Sequence, residues 1–168
     1  MASFDVCYDF MMDNEDPKRE YAIVPDAGGM AISGINSKAW PLAFEQIAKL
    51  DVAERGLEVE TFYQGEFWNQ WLAQLNSQEL ANRVFDASVN MGEVPTVKLL
   101  QGAVNAVSPP LKIDGQWGPH TVSAVNSVAG DELVDAFKTI RCAHYRTIAT
   151  NNPSEAQYLP QWLARAMK

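Results

Sequence analysis

Apolar positions recur at helical spacing along most of this chain. Phe4, Cys7, Tyr8 and Met11 share one face of a first helix that runs to Glu15. Pro17 stops it, because the residue before a proline is biased away from the α region and Asp16 is expected to leave the helix. From Lys18 to Asn36 the pattern changes to Gly, Pro and β-formers. Tyr21-Ala22-Ile23-Val24-Pro25, then Gly28-Gly29 and Gly34-Ile35, read as a loop with one or two short strands in a hairpin-like lobe. Helical spacing returns at 38–50, with Ser37 placed to cap and Pro41 near the first turn. An aromatic-rich helix is expected at 66–75. The cleanest amphipathic segment follows: Leu80, Val84, Ala87, Ser88 and Met91 share a face, and Gly92 ends it. Pro95 sits early in a helix to about 107, which Pro109-Pro110 ends before a linker-like stretch to 119. Further helices are read at 121–128 and 131–147, then an interruption at Asn151-Asn152-Pro153 and a last helix at 162–167. The prediction is a mainly α fold with a small extended lobe near the N-terminus.

Composition narrows the field of functions. A chain of 168 residues fits one domain, with or without a small appendage. The formal charge of -8, with no Lys/Arg cluster, disfavours nucleic acid and anionic membrane surfaces as partners. The longest uncharged apolar run, 99–111, is broken by prolines and too short to span a bilayer. No apolar stretch typical of a secretory signal precedes Lys18, so soluble synthesis in a bacterial cytoplasm is expected. Cys7 and Cys142 lie far apart and read as buried thiols, with a disulfide as the alternative. His120 and His144 have no companions at ligand spacing, so no metal and no cofactor are expected.

Two carboxylates carry the candidate chemistry. Glu15 stands at a helix end, and Asp26 opens the Gly28-Gly29 bend. A pair of carboxylates so presented is what cleavage of a glycosidic bond requires. The bare carbonyls at a helix C-terminus disfavour negative charge, which suits a general acid that must keep its proton until it is needed. The alternative for Glu15 is one more surface acid beside Asp13, Asp16 and Glu20. Asp26 fits either activation of water and steadying of a cationic sugar, or a turn residue bonding its own loop. Ser33 is a candidate for orienting water. Tyr63, Phe67, Trp68 and Trp117 offer faces for sugar stacking, although aromatics at helical spacing more often fill cores.

At these residues the chain resembles the N-acetylmuramidases of glycoside hydrolase family 108, found as phage endolysins and as bacterial secretion-associated muramidases. Their opening is a Phe-started helix ending in Glu-Gly-Gly-Tyr, then Asp-Pro-Gly-Gly-x-Thr and a Gly-Ile pair. Phe4 to Glu15, Asp26-Ala27-Gly28-Gly29 and Gly34-Ile35 stand at those elements. Similarity continues through Phe67-Trp68, Leu80-Ala81, Val84-Phe85-Asp86, Val89-Asn90-Met91-Gly92 and Leu100-Gln101. The remainder resembles the family's predicted peptidoglycan-binding region at Ile113-Asp114-Gly115-Gln116-Trp117-Gly118-Pro119, Thr121, Arg141, Tyr145 and Trp162-Leu163-Ala164-Arg165. Two departures stand out: Asp16-Pro17 replaces the Gly-Gly after the glutamate, and the family's threonine falls on Ala31.

The resemblance implies a lysozyme-like helical body with a muramidase region at 1–107 and a wall-binding helical region at 108–168, packed as one globular unit. It implies cleavage of the β-1,4 bond between N-acetylmuramic acid and N-acetylglucosamine, with Glu15 as proton donor and Asp26 assisting. Tyr63, Trp68, Asn90 and Trp117 become candidate contacts to the glycan strand. It further implies a monomer that reaches the wall through a holin-type pore or another export route. Wall carboxylates repel an acidic chain, so adhesion would rest on stacking and hydrogen bonds. The rival expectation is an inert wall-binding or virion structural module that kept the fold.

Overall fold

A computed structural model describes every residue of the chain except Ala27 and Pro109. The Ala27 step of the Asp-Ala-Gly-Gly motif, and the share of Pro109 in ending a helix, therefore lie outside the described residues. Among those described are nine α-helices and a small antiparallel sheet near the N-terminus.

Helix α1, Phe4–Glu15, buries Phe4, Cys7, Tyr8, Met11 and Met12. It ends as Pro17 requires: Asp16 leaves the helix at φ -152°, and its N–H still donates to Met12 O at 2.8 Å. The lobe holds three strands: β1 Ile23–Asp26, β2 Gly29–Ile32 and β3 Ile35–Asn36, in the order β1-β2-β3. Val24 pairs with Ala31, and Ala31 with Asn36, so these three share one face. Ile32 and Ile35, on the other face, are fully buried.

Helix α2, Pro41–Ala48, is shorter than the spacing predicts because Ser37 does not cap it. Ser37 Oγ instead accepts from the Met30 N–H at 3.0 Å, and Asn36 Oδ1 accepts from the Lys38 N–H at 2.8 Å, which turns the chain first. Helix α3, Val52–Phe67, lies mostly in a stretch to which the spacing assigns no element. Of the helix expected at 66–75 there remain the last two residues of α3 and the short α4, Gln70–Ala73. Asn69 makes the break by accepting from the Trp71 and Leu72 N–H groups, a side-chain cap that starts a new helix. Helix α5, Gln78–Met91, is capped by Ser77 and buried on nearly every side. Around it lie α6 Glu93–Val107, α7 Pro119–Asn126, α8 Gly130–Asn151 and, after a 3-10 turn, α9 Leu159–Met167.

One apolar cluster joins Met11 of α1, Phe85 of α5, Leu100 of α6 and Phe137 of α8. A second, of Cys142, Tyr145 and Ala166 with Trp162 and Leu163 against it, seats α9 on α8. The C-terminal helices are thus packed onto the body that carries α1. Both cysteines are free and buried, and burial pushes the Cys7 thiol up to about 12 despite a hydrogen bond from Gln78. Among the described residues no helix is long and apolar enough to cross a membrane.

Candidate active site

Glu15 is the last residue of α1, and its side chain is 18% exposed. Oε1 lies 2.7 Å from Arg165 Nη2. Oε2 sits against Gly34, so close that a Cβ there would meet it at 2.6 Å. Glu15 and Gly34 both line an open cavity of about 290 Å³, together with Asp16, Ser33, Ala22 and Val24. Helix end and sheet therefore form its two sides. Side chains alternate along a strand, so Val24 and Asp26 project to the same face of β1, but Asp26 is not among the residues lining this cavity. Asp26 stands one repeat beyond Val24, roughly 7 Å further along β1, where it accepts from Asn36 Nδ2 at 2.8 Å.

Asp16, read from the sequence as the point where the helix stops and as a departure from the family's Gly-Gly, organises this lobe. Its carboxylate accepts from Ser33 Oγ at 2.7 Å, the Tyr21 N–H at 2.8 Å and the Glu20 N–H at 3.0 Å. Burial pushes its carboxyl up, but these bonds and the Arg19 charge outweigh burial and hold it below its ordinary value. An acid that titrates lower when folded than unfolded stabilises the fold above its unfolded pKa, about 3.9, and that contribution is lost as pH falls through the folded value. Hydrogen-exchange protection of the Glu20 and Tyr21 amides is therefore expected to drop below about pH 4, before the helical core opens. Protection that holds until global acid unfolding would contradict this.

The β2–β3 turn fixes the other side of the cavity. Ser33 (φ 46°) and Gly34 (φ 86°) both take the left-handed conformation that a tight two-residue hairpin needs. The Ser33 hydroxyl bond to Asp16 compensates a residue that seldom adopts it. Tyr63, from α3, is 1% exposed and donates its hydroxyl to Ser33 O at 2.7 Å. Burial first, and then the Glu15 charge, push this phenol well above its ordinary range, so it remains a donor. A Cβ at Gly34 would meet Tyr63 Oη at 2.7 Å as well as the Glu15 carboxylate. Gly34→Ala is expected to cost about 1–2 kcal/mol from the left-handed backbone alone. If Glu15 is the proton donor that the family resemblance implies, displacement of its carboxylate should also lower wall hydrolysis by about 100-fold. Thermal melting and clearing of cell walls measure the two effects, and full activity in the variant would show that the contact does not set the carboxylate's position.

Behind Glu15 lies an ion network that sequence reasoning did not assign. Asp86 of α5 is completely buried and lies 2.8 Å from Arg141 Nη1 of α8 and 2.8 Å from Arg165 Nη2 of α9. Asn14 Nδ2 donates to the same carboxylate at 3.0 Å. Burial lowers the proton affinity of Arg165, but the Asp86 and Glu15 carboxylates more than offset this and leave it raised. Asp86, Arg141 and Arg165 stood in the sequence only as pieces of motifs. One signal pointed to a buried pair: Arg141 falls midway between Phe137 and Tyr145, at four-residue steps on the apolar stripe of α8.

The other candidates fall in different places. The Ser33 hydroxyl faces the cavity region but is committed to Asp16. Tyr63 serves the site from beneath, through its hydroxyl. Trp68 packs edge-on against Phe4 and Phe85. Asn90 is exposed at the end of α5 and accepts from Tyr145 Oη, whose oxygen also accepts from Arg141 Nε at 3.1 Å. Trp117 is half-buried against the core in the turn from Asp114 to Gly118. Buried Gln101 ties that turn to α6, donating to Asp114 Oδ1 at 2.9 Å and accepting from the Gly115 N–H at 2.9 Å.

Fold and site together define a helical protein with a carboxylate-lined groove between a helix end and a small sheet. Residues 22–92 match the family model described as Glycosyl hydrolase 108, and residues 95–167 match that described as Predicted Peptidoglycan domain. These matches show the family resemblance read from the sequence and support a glycoside hydrolase acting on peptidoglycan. Asp26 and Ser33 lie within the first match, whereas Glu15 precedes it. Among solved structures, one described as Brucella abortus SagA aligns with a TM-score of 0.63 at 22% identity, over 98% of this chain and 93% of that one. That likeness establishes the fold. No curated protein matches the chain.

Proposed function

We propose that this protein is a muramidase that hydrolyses the β-1,4 bond between N-acetylmuramic acid and N-acetylglucosamine, with Glu15 as general acid. The observation that carries the reading is the placement of Glu15: one oxygen is held by Arg165, and the other lies beside Gly34 in the groove. In this mechanism Oε2 gives its proton to the bridging oxygen as the bond from that oxygen to the anomeric carbon breaks. The bonding electrons leave with the oxygen, and positive charge develops on the sugar. Asp26, further along the same face of β1, stabilises that charge or takes a proton from the attacking water. No metal enters these steps.

Residues 1–107 are the proposed catalytic region and 108–168 the proposed wall-binding region. The biological setting that fits the resemblance is a phage endolysin acting as a monomer and released through a holin-type pore, with a secretion-associated muramidase as the alternative. Mass analysis of a digest of purified cell walls tests the bond specificity. New reducing muramic acid ends are expected; new reducing glucosamine ends would overturn it. A second reading, an inert wall-binding module, draws on Asp16-Pro17 and Ala31, where the chain departs from the family pattern. Binding to walls with no new reducing ends of either kind would favour that reading.

A further inference from the structure

We infer that Arg165 is a positioning residue for the hydrolytic reaction, so that the C-terminal helix completes the active site as well as serving the region matched to wall binding. The inference rests on the reading of Glu15 as proton donor and deepens it. Arg165 lies in α9, within the 95–167 match, whereas Glu15 closes α1 at the opposite end of the chain. Their side chains meet at 2.7 Å through Oε1 alone, which leaves Oε2 directed at Gly34 in the groove.

A carboxyl group can accept a hydrogen bond at one oxygen while carrying its proton on the other. Contact at Oε1 therefore selects Oε2 as the oxygen that presents the proton. The guanidinium is itself held in place: Asp86, fully buried, receives Arg165 Nε at 3.0 Å and Nη2 at 2.8 Å. Asp86 is fixed in turn by Arg141 and by Asn14, the residue before Glu15. The chain of contacts from Asp86 through Arg165 to Glu15 thus runs from the centre of the fold to the groove. Nε and Nη2 together grip Asp86 while Nη2 also reaches Glu15, and lysine, with a single nitrogen, cannot reproduce that two-nitrogen grip.

Arg165 also lines a second open cavity, of about 310 Å³, with Asn14, Ala164 and Lys168. A small cation can reach the position of the missing head group from that side. The test compares wild type, Arg165→Ala, Arg165→Lys and Glu15→Gln as full chains, with clearing rates measured against wall concentration. Arg165→Ala is expected to lower kcat about 100-fold through lost alignment of the carboxyl, with KM unchanged. Millimolar guanidinium, added to the Ala variant, should recover part of the lost kcat, and Arg165→Lys should recover less than arginine supplies. If Arg165→Ala does not fold, Arg165→Met, which keeps the aliphatic volume, takes its place.

A folded Arg165 variant with wild-type kcat, beside an inactive Glu15→Gln, overturns the positioning role and leaves the proton donor standing. A variant whose loss lies in KM, and is untouched by guanidinium, overturns it equally by making Arg165 a substrate contact or a packing residue. Wild-type clearing by Glu15→Gln removes the proton donor itself, and the positioning role falls with it.

Discussion

Glu15→Gln should abolish clearing of purified cell walls while leaving a folded protein. The substitution is nearly isosteric. Its carbonyl oxygen can still accept from Arg165, and its amide fits the space beside Gly34 that Oε2 now occupies. What it lacks is an acidic proton for the departing sugar oxygen. Loss of a positioned general acid lowers rates by about 10²- to 10⁴-fold, so residual clearing should fall near background. Circular dichroism and melting should report an intact helical fold, because Asp86 keeps its contacts to Arg141 and Arg165. The readout that decides is the appearance of new reducing ends over time in both proteins. Equal rates would take Glu15 out of the mechanism and move attention to Asp26, which lies within the matched family segment.

Much of this architecture is legible in the residues. The stripe of Phe4, Cys7, Tyr8 and Met11 gives α1, and Pro17 gives its end, because both depend on local geometry. The lobe is legible in outline, and its third strand is not: Ile35–Asn36 is too short to show a period and exists only through pairing with β2. The break after Phe67 escaped because the aromatic pattern continues across it. A single side-chain cap, Asn69, decides where one helix stops and the next begins.

The site divides in the same way. Glu15 could be singled out because a motif and a helix end coincide there. Arg165 could not: it lies 79 positions from Asp86 and near the far end of the chain from Glu15, and only folding brings the three together. Asp16 is the instructive case. The departure from Gly-Gly at 16–17 implies a turn of different shape, and the Asp16 carboxylate supplies three acceptor contacts that tie residues 20, 21 and 33 into one lobe. Family glycines obtain a tight turn through backbone freedom, and here hydrogen bonds fix the chain in its place.

Asp86→Ala is expected to cause the largest loss of stability of any single substitution in this network, about 3–5 kcal/mol. Asp86 is fully buried between two guanidinium groups, and Arg141 is 1% exposed. Removing the carboxylate leaves Arg141 charged, buried and without its anionic partner. Arg165 keeps Glu15, so the damage centres on Arg141 and on the contact between α5 and α8. For a chain of this size each kcal/mol moves the melting temperature by about 2–4 °C, so a fall of roughly 6–20 °C should appear in thermal melts. A buried ion pair is expensive to assemble, and apolar replacements of similar volume are often neutral or stabilising. The triple variant Asp86→Leu, Arg141→Met, Arg165→Met should therefore recover much of the stability that Asp86→Ala loses. It should not recover hydrolysis, since nothing then holds Glu15 Oε1. Stability restored without activity would assign the network to orienting the acid, whereas the two returning together would make it a packing device alone.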